Sequence, residues 1–104
     1  MHTAVETPEY LAAAAKAGMT DSERDRALDT VMSNPEAGDL IVGSGGYRKI
    51  RVAKDGAGKS GGYRIVTYYF NADRPVYLVT VINKSKTANL TKAQVNELKK
   101  GKPK

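Results

Sequence analysis

The chain contains no cysteine. That excludes disulfide stapling and thiolate metal sites, and it fits a reducing compartment. Its single histidine, His2, sits beside the N-terminus, where chains are usually mobile. The body of the chain therefore has no imidazole to bind a metal or to act as a general base. No stretch of 18 apolar residues exists, so no transmembrane helix is expected. The short apolar run Leu11–Ala15 follows Glu6 and Glu9, whereas a secretory signal needs a positive start and a longer apolar region. These absences point to a cytoplasmic protein with no membrane partner.

What is present suits one folded domain spanning residues 1–104. Hydrophobic residues make up 40% and charged residues 27%, a globular rather than a disordered composition. The net charge is +6 and it is segregated. Residues 1–46 carry three Lys/Arg against eight Asp/Glu, and residues 47–104 carry fourteen against three. So uneven a distribution favours a polyanionic partner, with nucleic acid the first candidate. The alternative is a basic surface that only confers solubility.

Local signals outline an α+β domain. Residues 2–6 read as a short strand. Thr7-Pro8-Glu9 begins a helix with a hydroxyl cap, proline in the first turn and an acid beside it; Gly18 ends it. Thr20-Asp21-Ser22-Glu23 is a capping box. It opens a second helix with Ala27, Leu28, Val31 and Met32 on one stripe, stopped at Asn34-Pro35. The two form an N-terminal helical hairpin. Residues 43–46 read as a flexible glycine-rich loop. Residues 47–53 then read as a strand with Tyr47, Lys49, Arg51 and Ala53 on one face and Arg48, Ile50 and Val52 on the other. After a Gly/Lys loop over 54–62, residues 63–70 and 76–82 read as two more strands joined by a turn at 71–75. The second of these is apolar enough to be central and buried on both faces. Thr91-Lys92-Ala93-Gln94 starts a last helix. Strands linked by short turns, with helices before and after, imply helices packed on a small, twisted, mainly antiparallel sheet.

One motif is rejected. Residues 53–60 fit a loose phosphate-loop pattern, but such a loop needs a helix after it to offer its amides to phosphate. Here Gly61, Gly62 and a strand follow.

Lys49 and Arg51 share a strand face. If the 63–70 strand pairs with theirs, Arg64 falls nearby. Lys54 and Lys59 lie in the loop, and Lys84 and Lys86 follow the last strand. Such a cluster can hold phosphates through charge and bidentate guanidinium contacts. It can also stabilise the added charge of a pentacoordinate phosphate. RNA supplies its own nucleophile, the 2′-hydroxyl. An enzyme need only align it, take its proton and assist the leaving oxygen. Without histidine, a lysine whose proton affinity is lowered by neighbouring cations is the available base. Spacing alone leaves a second reading open, in which these residues solvate a sheet face or grip phosphate without chemistry. Tyr63, Tyr68, Tyr69 and Tyr77 are expected mainly in the core, with base stacking as the alternative.

The ordered set Gly43-Ser44-Gly45-Gly46-Tyr47-Arg48-Lys49-Ile50-Arg51-Val52-Ala53, then Gly56–Val66, then Val76–Ile82, Lys84 and Leu90 closely resembles HigB-like members of the RelE/ParE toxin superfamily. The N-terminal order of helix, capped helix, Asn-Pro and Gly-Asp is similar to that family as well. The resemblance implies the RelE fold and a metal-independent, cofactor-free endoribonuclease that cuts mRNA in the ribosomal A site. It implies as partners a cognate antitoxin, mRNA and ribosomal RNA, and operator DNA only through the antitoxin complex. It places Lys49, Arg51, Arg64 and Lys84 in the catalytic set, with Arg48, Lys54, Lys59 and Lys86 as RNA-binding residues. The sequence departs from RelE at Ser85, where RelE has arginine, and at Asn89-Leu90-Thr91, where no tyrosine matches RelE's late catalytic one. HigB-like members also commonly have an acid near position 86 and an aromatic near position 82, where this chain has Lys86 and Ile82. The resemblance therefore assigns no general acid here. Two other functions share the superfamily's fold: a ParE-like gyrase inhibitor without RNase activity, and a catalytically inactive RNA- or antitoxin-binding module.

Overall fold

In a computed structural model, which describes residues 2–54 and 62–83, two helices cover one face of a five-stranded sheet. The elements are β1 (Ala4–Glu6), α1 (Pro8–Ala17), α2 (Asp21–Ser33), β2 (Asp39–Leu40), β3 (Tyr47–Ala53), β4 (Gly62–Tyr68) and β5 (Val76–Asn83). The strand order is β1-β5-β4-β3-β2. All pairings are antiparallel except β1 with β5. The last helix expected from Thr91 lies outside the described residues.

The helices form where their caps are encoded. The Thr7 hydroxyl accepts from the Tyr10 N–H at 3.1 Å and donates to the Leu78 carbonyl at 2.8 Å. One residue thus starts α1 and ties it to β5. The capping box of α2 is complete: the Glu23 N–H donates to the Thr20 hydroxyl at 3.1 Å, and the Thr20 N–H donates to Glu23 Oε1 at 2.8 Å. Glu23 is buried, and the same Oε1 accepts the Tyr63 hydroxyl at 3.2 Å. A local cap is thereby extended into a bond between α2 and β4.

Alternation along the strands sorts side chains to two faces. On the helix side, Tyr10, Ala27 and Val31 pack against Ile50, Val52, Ile65, Val76 and Leu78. On the opposite face a smaller cluster forms from Tyr47, Val66 and Tyr68, with Ile41, Tyr77, Val79 and Ile82 beside it. The rings of Tyr47 and Tyr68, directly paired across β3 and β4, lie 4.9 Å apart at 48°. Burial pushes the Tyr47 hydroxyl up to about 12, with the neighbouring Tyr68 phenol adding to the effect. Burial also pushes Tyr10 up to about 12, with Glu6 adding to it.

Three features depart from the sequence reading. The apolar 76–82 segment is an interior strand, as read, but its burial is uneven rather than complete on both faces. β5 lies between β1 and β4, and over residues 76–82 only Val76 and Leu78 are fully buried. The glycine-rich segment 43–46 is anchored rather than loose. Ser44 is fully buried; its hydroxyl donates to the Ile41 carbonyl at 2.7 Å and accepts the Tyr47 N–H at 3.1 Å. A two-residue edge strand, β2, had no signal of its own and forms only because β3 offers it a partner.

Candidate functional site

The site is assembled by register. Arg51 stands directly opposite Arg64 across β3 and β4, and Lys49 stands opposite Asp39 across β3 and β2. Paired residues in an antiparallel ladder share a face, so all four side chains project from the face away from the helices. They converge, with Ile50, on a pocket of about 300 Å³. Lys49 and Arg64 are half-buried, whereas Arg51 and Asp39 are exposed.

Two glycines make this arrangement possible. Gly38 has φ +90°, and a Cβ there would run into the Lys49 carbonyl and the Ile50 side chain. Only glycine lets the backbone before β2 approach β3 so closely, and that approach sets Asp39 beside Lys49. Gly62 pairs with Ala53 at the far end of β4. A Cβ there would lie 3.3 Å from Arg51 Nε, so the missing side chain leaves room for the Arg51 guanidinium to lie over the strand. The end of β3 is held from the helix side as well, where Arg26 donates to the Ala53 carbonyl at 2.6 Å.

The residues singled out in the sequence separate into three groups. Lys49, Arg51 and Arg64 meet at the pocket. Arg48 does not. The two-residue alternation of β3 turns it to the helix side, and its guanidinium lies 3.7 Å from Glu36. Lys54 follows β3 and is exposed. Lys59, Lys84 and Lys86 lie outside the described residues. Of the tyrosines, Tyr63 and Tyr68 are buried, and Tyr69 and Tyr77 are half-buried. Sequence reasoning missed Asp39. The available signal was the Gly38-Asp39 pair, a conformationally special residue followed by a carboxylate just ahead of the basic half of the chain.

Chemically the pocket joins two planar guanidinium forks and one flexible ammonium, a donor set that matches phosphate oxygens. Among the described residues, no group of three or more His, Cys, Asp or Glu side chains is placed to hold a metal ion. No described helix is long and apolar enough to cross a membrane.

Comparison with known proteins gives two findings. The family model described as the RelE toxin of the RelE/RelB toxin–antitoxin system matches residues 6–102. Among solved structures, an arginine double mutant of the E. coli toxin RelE in the free state superposes with a TM-score of 0.61 at 19% sequence identity. The match covers 92% of this chain and 95% of that one.

Proposed function

This chain belongs to the RelE toxin family, and on that premise we propose that it is an mRNA endonuclease that cuts message in the ribosomal A site and is silenced by its antitoxin. The observation that carries the proposal is the convergence of Lys49, Arg51 and Arg64 on one pocket of the open sheet face. Arg51 and Arg64 face each other directly, and like charges directly opposite each other across a strand pair repel.

A scissile phosphate seated between the two guanidiniums offsets that repulsion. Charge on its non-bridging oxygens increases as the 2′-hydroxyl oxygen attacks phosphorus, so donors fixed in place bind the transition state more tightly than the ground state. Lys49 adds a mobile third donor from the same strand. Cleavage by the neighbouring 2′-oxygen breaks the P–O5′ bond and leaves a 2′,3′-cyclic phosphate and a 5′-hydroxyl. No water nucleophile and no metal-activated hydroxide enters this route. Lys84 takes part from the segment after β5, as the family resemblance implies, and exposed Lys54 extends the contact to flanking phosphates. The toxin acts in the cytoplasm on translating ribosomes, and together with its antitoxin it represses its own operon.

The test is induction of the chain without an antitoxin, followed by mapping of mRNA 5′ ends and measurement of DNA supercoiling. New 5′ ends phased with codons, absent in the Lys49→Ala/Arg51→Ala variant, are the expected result. Intact mRNA accompanied by gyrase-linked DNA damage would refute it in favour of a gyrase-poisoning toxin.

A further inference from the structure

The pocket contains one group that a simple phosphate-binding site would exclude. Asp39 is a carboxylate that lines the pocket together with three cations. It repels a phosphate, so its presence there opposes binding. The backbone nevertheless goes to some length to place it. β2 is only two residues long, and it is brought against β3 by a glycine at which no other residue fits without displacing the Lys49 carbonyl. Direct pairing with Lys49 puts the two β-carbons within about 5.5 Å of each other on the pocket face.

Asp39 is also unengaged. Among the described residues its carboxylate takes part in no hydrogen bond or ion pair, unlike Glu6 and Glu36, which pair with Arg24 and Arg48. It is therefore not a structural counter-ion; it is exposed and lines the pocket. Its chemistry differs from that of every other polar side chain in the lining. Guanidinium and ammonium groups only donate hydrogen bonds, whereas an ionised carboxylate only accepts them. Cleavage requires one acceptor, for the proton of the 2′-hydroxyl.

We infer that Asp39 is a catalytic residue of the proposed RNA cleavage, the base that accepts the 2′-hydroxyl proton; this rests on the endonuclease reading above. In the step, the O2′–H bond breaks and the proton passes to an Asp39 oxygen. The freed electron pair of O2′ forms the new bond to phosphorus. The P–O5′ bond breaks, and the departing O5′ takes a proton from water. Asp39 then returns its proton to solvent. Arg51 and Arg64 hold the non-bridging oxygens throughout.

The experiment measures single-turnover cleavage of an mRNA programmed into the ribosomal A site. It compares the native chain with Asp39→Asn and Asp39→Glu, each checked for native circular dichroism. Binding is measured in parallel with the same message carrying a 2′-deoxy substitution at the cut, which cannot react. Asp39→Asn, nearly isosteric, should lower the cleavage rate about 100-fold or more. It should bind the unreactive message at least as tightly as the native chain, because a repulsive charge has gone. Asp39→Glu should regain part of the rate. Native-like cleavage by Asp39→Asn, or a loss confined to binding, would overturn the inference and leave the endonuclease reading intact. Misfolding of Asp39→Asn would overturn it too, by making the residue structural. Absence of cleavage by the native chain would overturn both.

Discussion

Glu23 offers the sharpest test of how this fold is held together. The residue is 1% exposed, and its carboxylate accepts both the Thr20 N–H at 2.8 Å and the Tyr63 hydroxyl at 3.2 Å through one oxygen. Replacing Glu23 with alanine removes the return bond of the capping box, a loss of about 1 kcal/mol. It also removes a charge-assisted acceptor from a buried phenol, at about 1.5–3 kcal/mol. The expected destabilisation is about 3 kcal/mol. Tyr63→Phe should cost only about 1 kcal/mol, because the carboxylate keeps its bond to the Thr20 amide. Since the two side chains touch, the double variant should be less unstable than the separate losses predict, with a coupling of about 1 kcal/mol. Equilibrium urea unfolding followed by far-UV circular dichroism measures all four proteins at constant m-value. If the two losses simply add, the Glu23–Tyr63 bond contributes nothing and the account of how α2 is locked to β4 is wrong. A loss below 1 kcal/mol for Glu23→Ala would refute the cap as a source of stability.

Three further outcomes are expected. Arg64→Glu should abolish toxicity on induction yet leave stability within about 1 kcal/mol, because it replaces a like-charged cross-strand pair with an opposite one; loss of folded protein by circular dichroism would make Arg64 structural. Gly38→Ala should detach β2 by forcing a Cβ into the Lys49 backbone, with rapid hydrogen exchange at the Ile41 amide, which donates to the Tyr47 carbonyl at 2.8 Å; unchanged protection there would contradict the close approach. In a spectrophotometric titration, Tyr10 and Tyr47 should ionise late, near pH 12. Their folded values lie above the ordinary 10, so the stability tied to keeping them neutral is complete below pH 10 and is lost as pH rises from 10 to 12. Alkaline unfolding should therefore begin in that window, and Tyr47→Phe should shift it upward.

Local chemistry made much of the fold readable. Both helix starts are written in side chains that bond to the backbone three residues away, so Thr7 and the Thr20–Glu23 box carry the same meaning in any tertiary setting. The 47–53 strand was legible for a similar reason: Lys49, Ile50, Arg51 and Val52 alternate basic and apolar with the period of the backbone. That same alternation puts Lys49 and Arg51 on one face. The turn at 71–75 is encoded by Asn71, whose side chain accepts the Asp73 N–H at 2.9 Å.

Other features depend on partners distant in sequence. The parallel pairing of β1 with β5 joins segments about 70 residues apart, and no local pattern specifies it. Ser44, read as part of a loose loop, is buried because the chain folds over it and its hydroxyl serves two backbone groups.

The amino-acid sequence by itself determined the helix caps, the strand faces and the concentration of positive charge in the second half of the chain, since each follows from bonds and periodicities within a few residues. Tertiary structure alone decided that Arg64 stands opposite Arg51, that Arg48 meets Glu36, and that a two-residue edge strand delivers a carboxylate beside Lys49. Those outcomes are matters of register. A slip of one residue would send every side chain of a strand to the other face, and only packing of the whole sheet against its helices fixes which alignment wins.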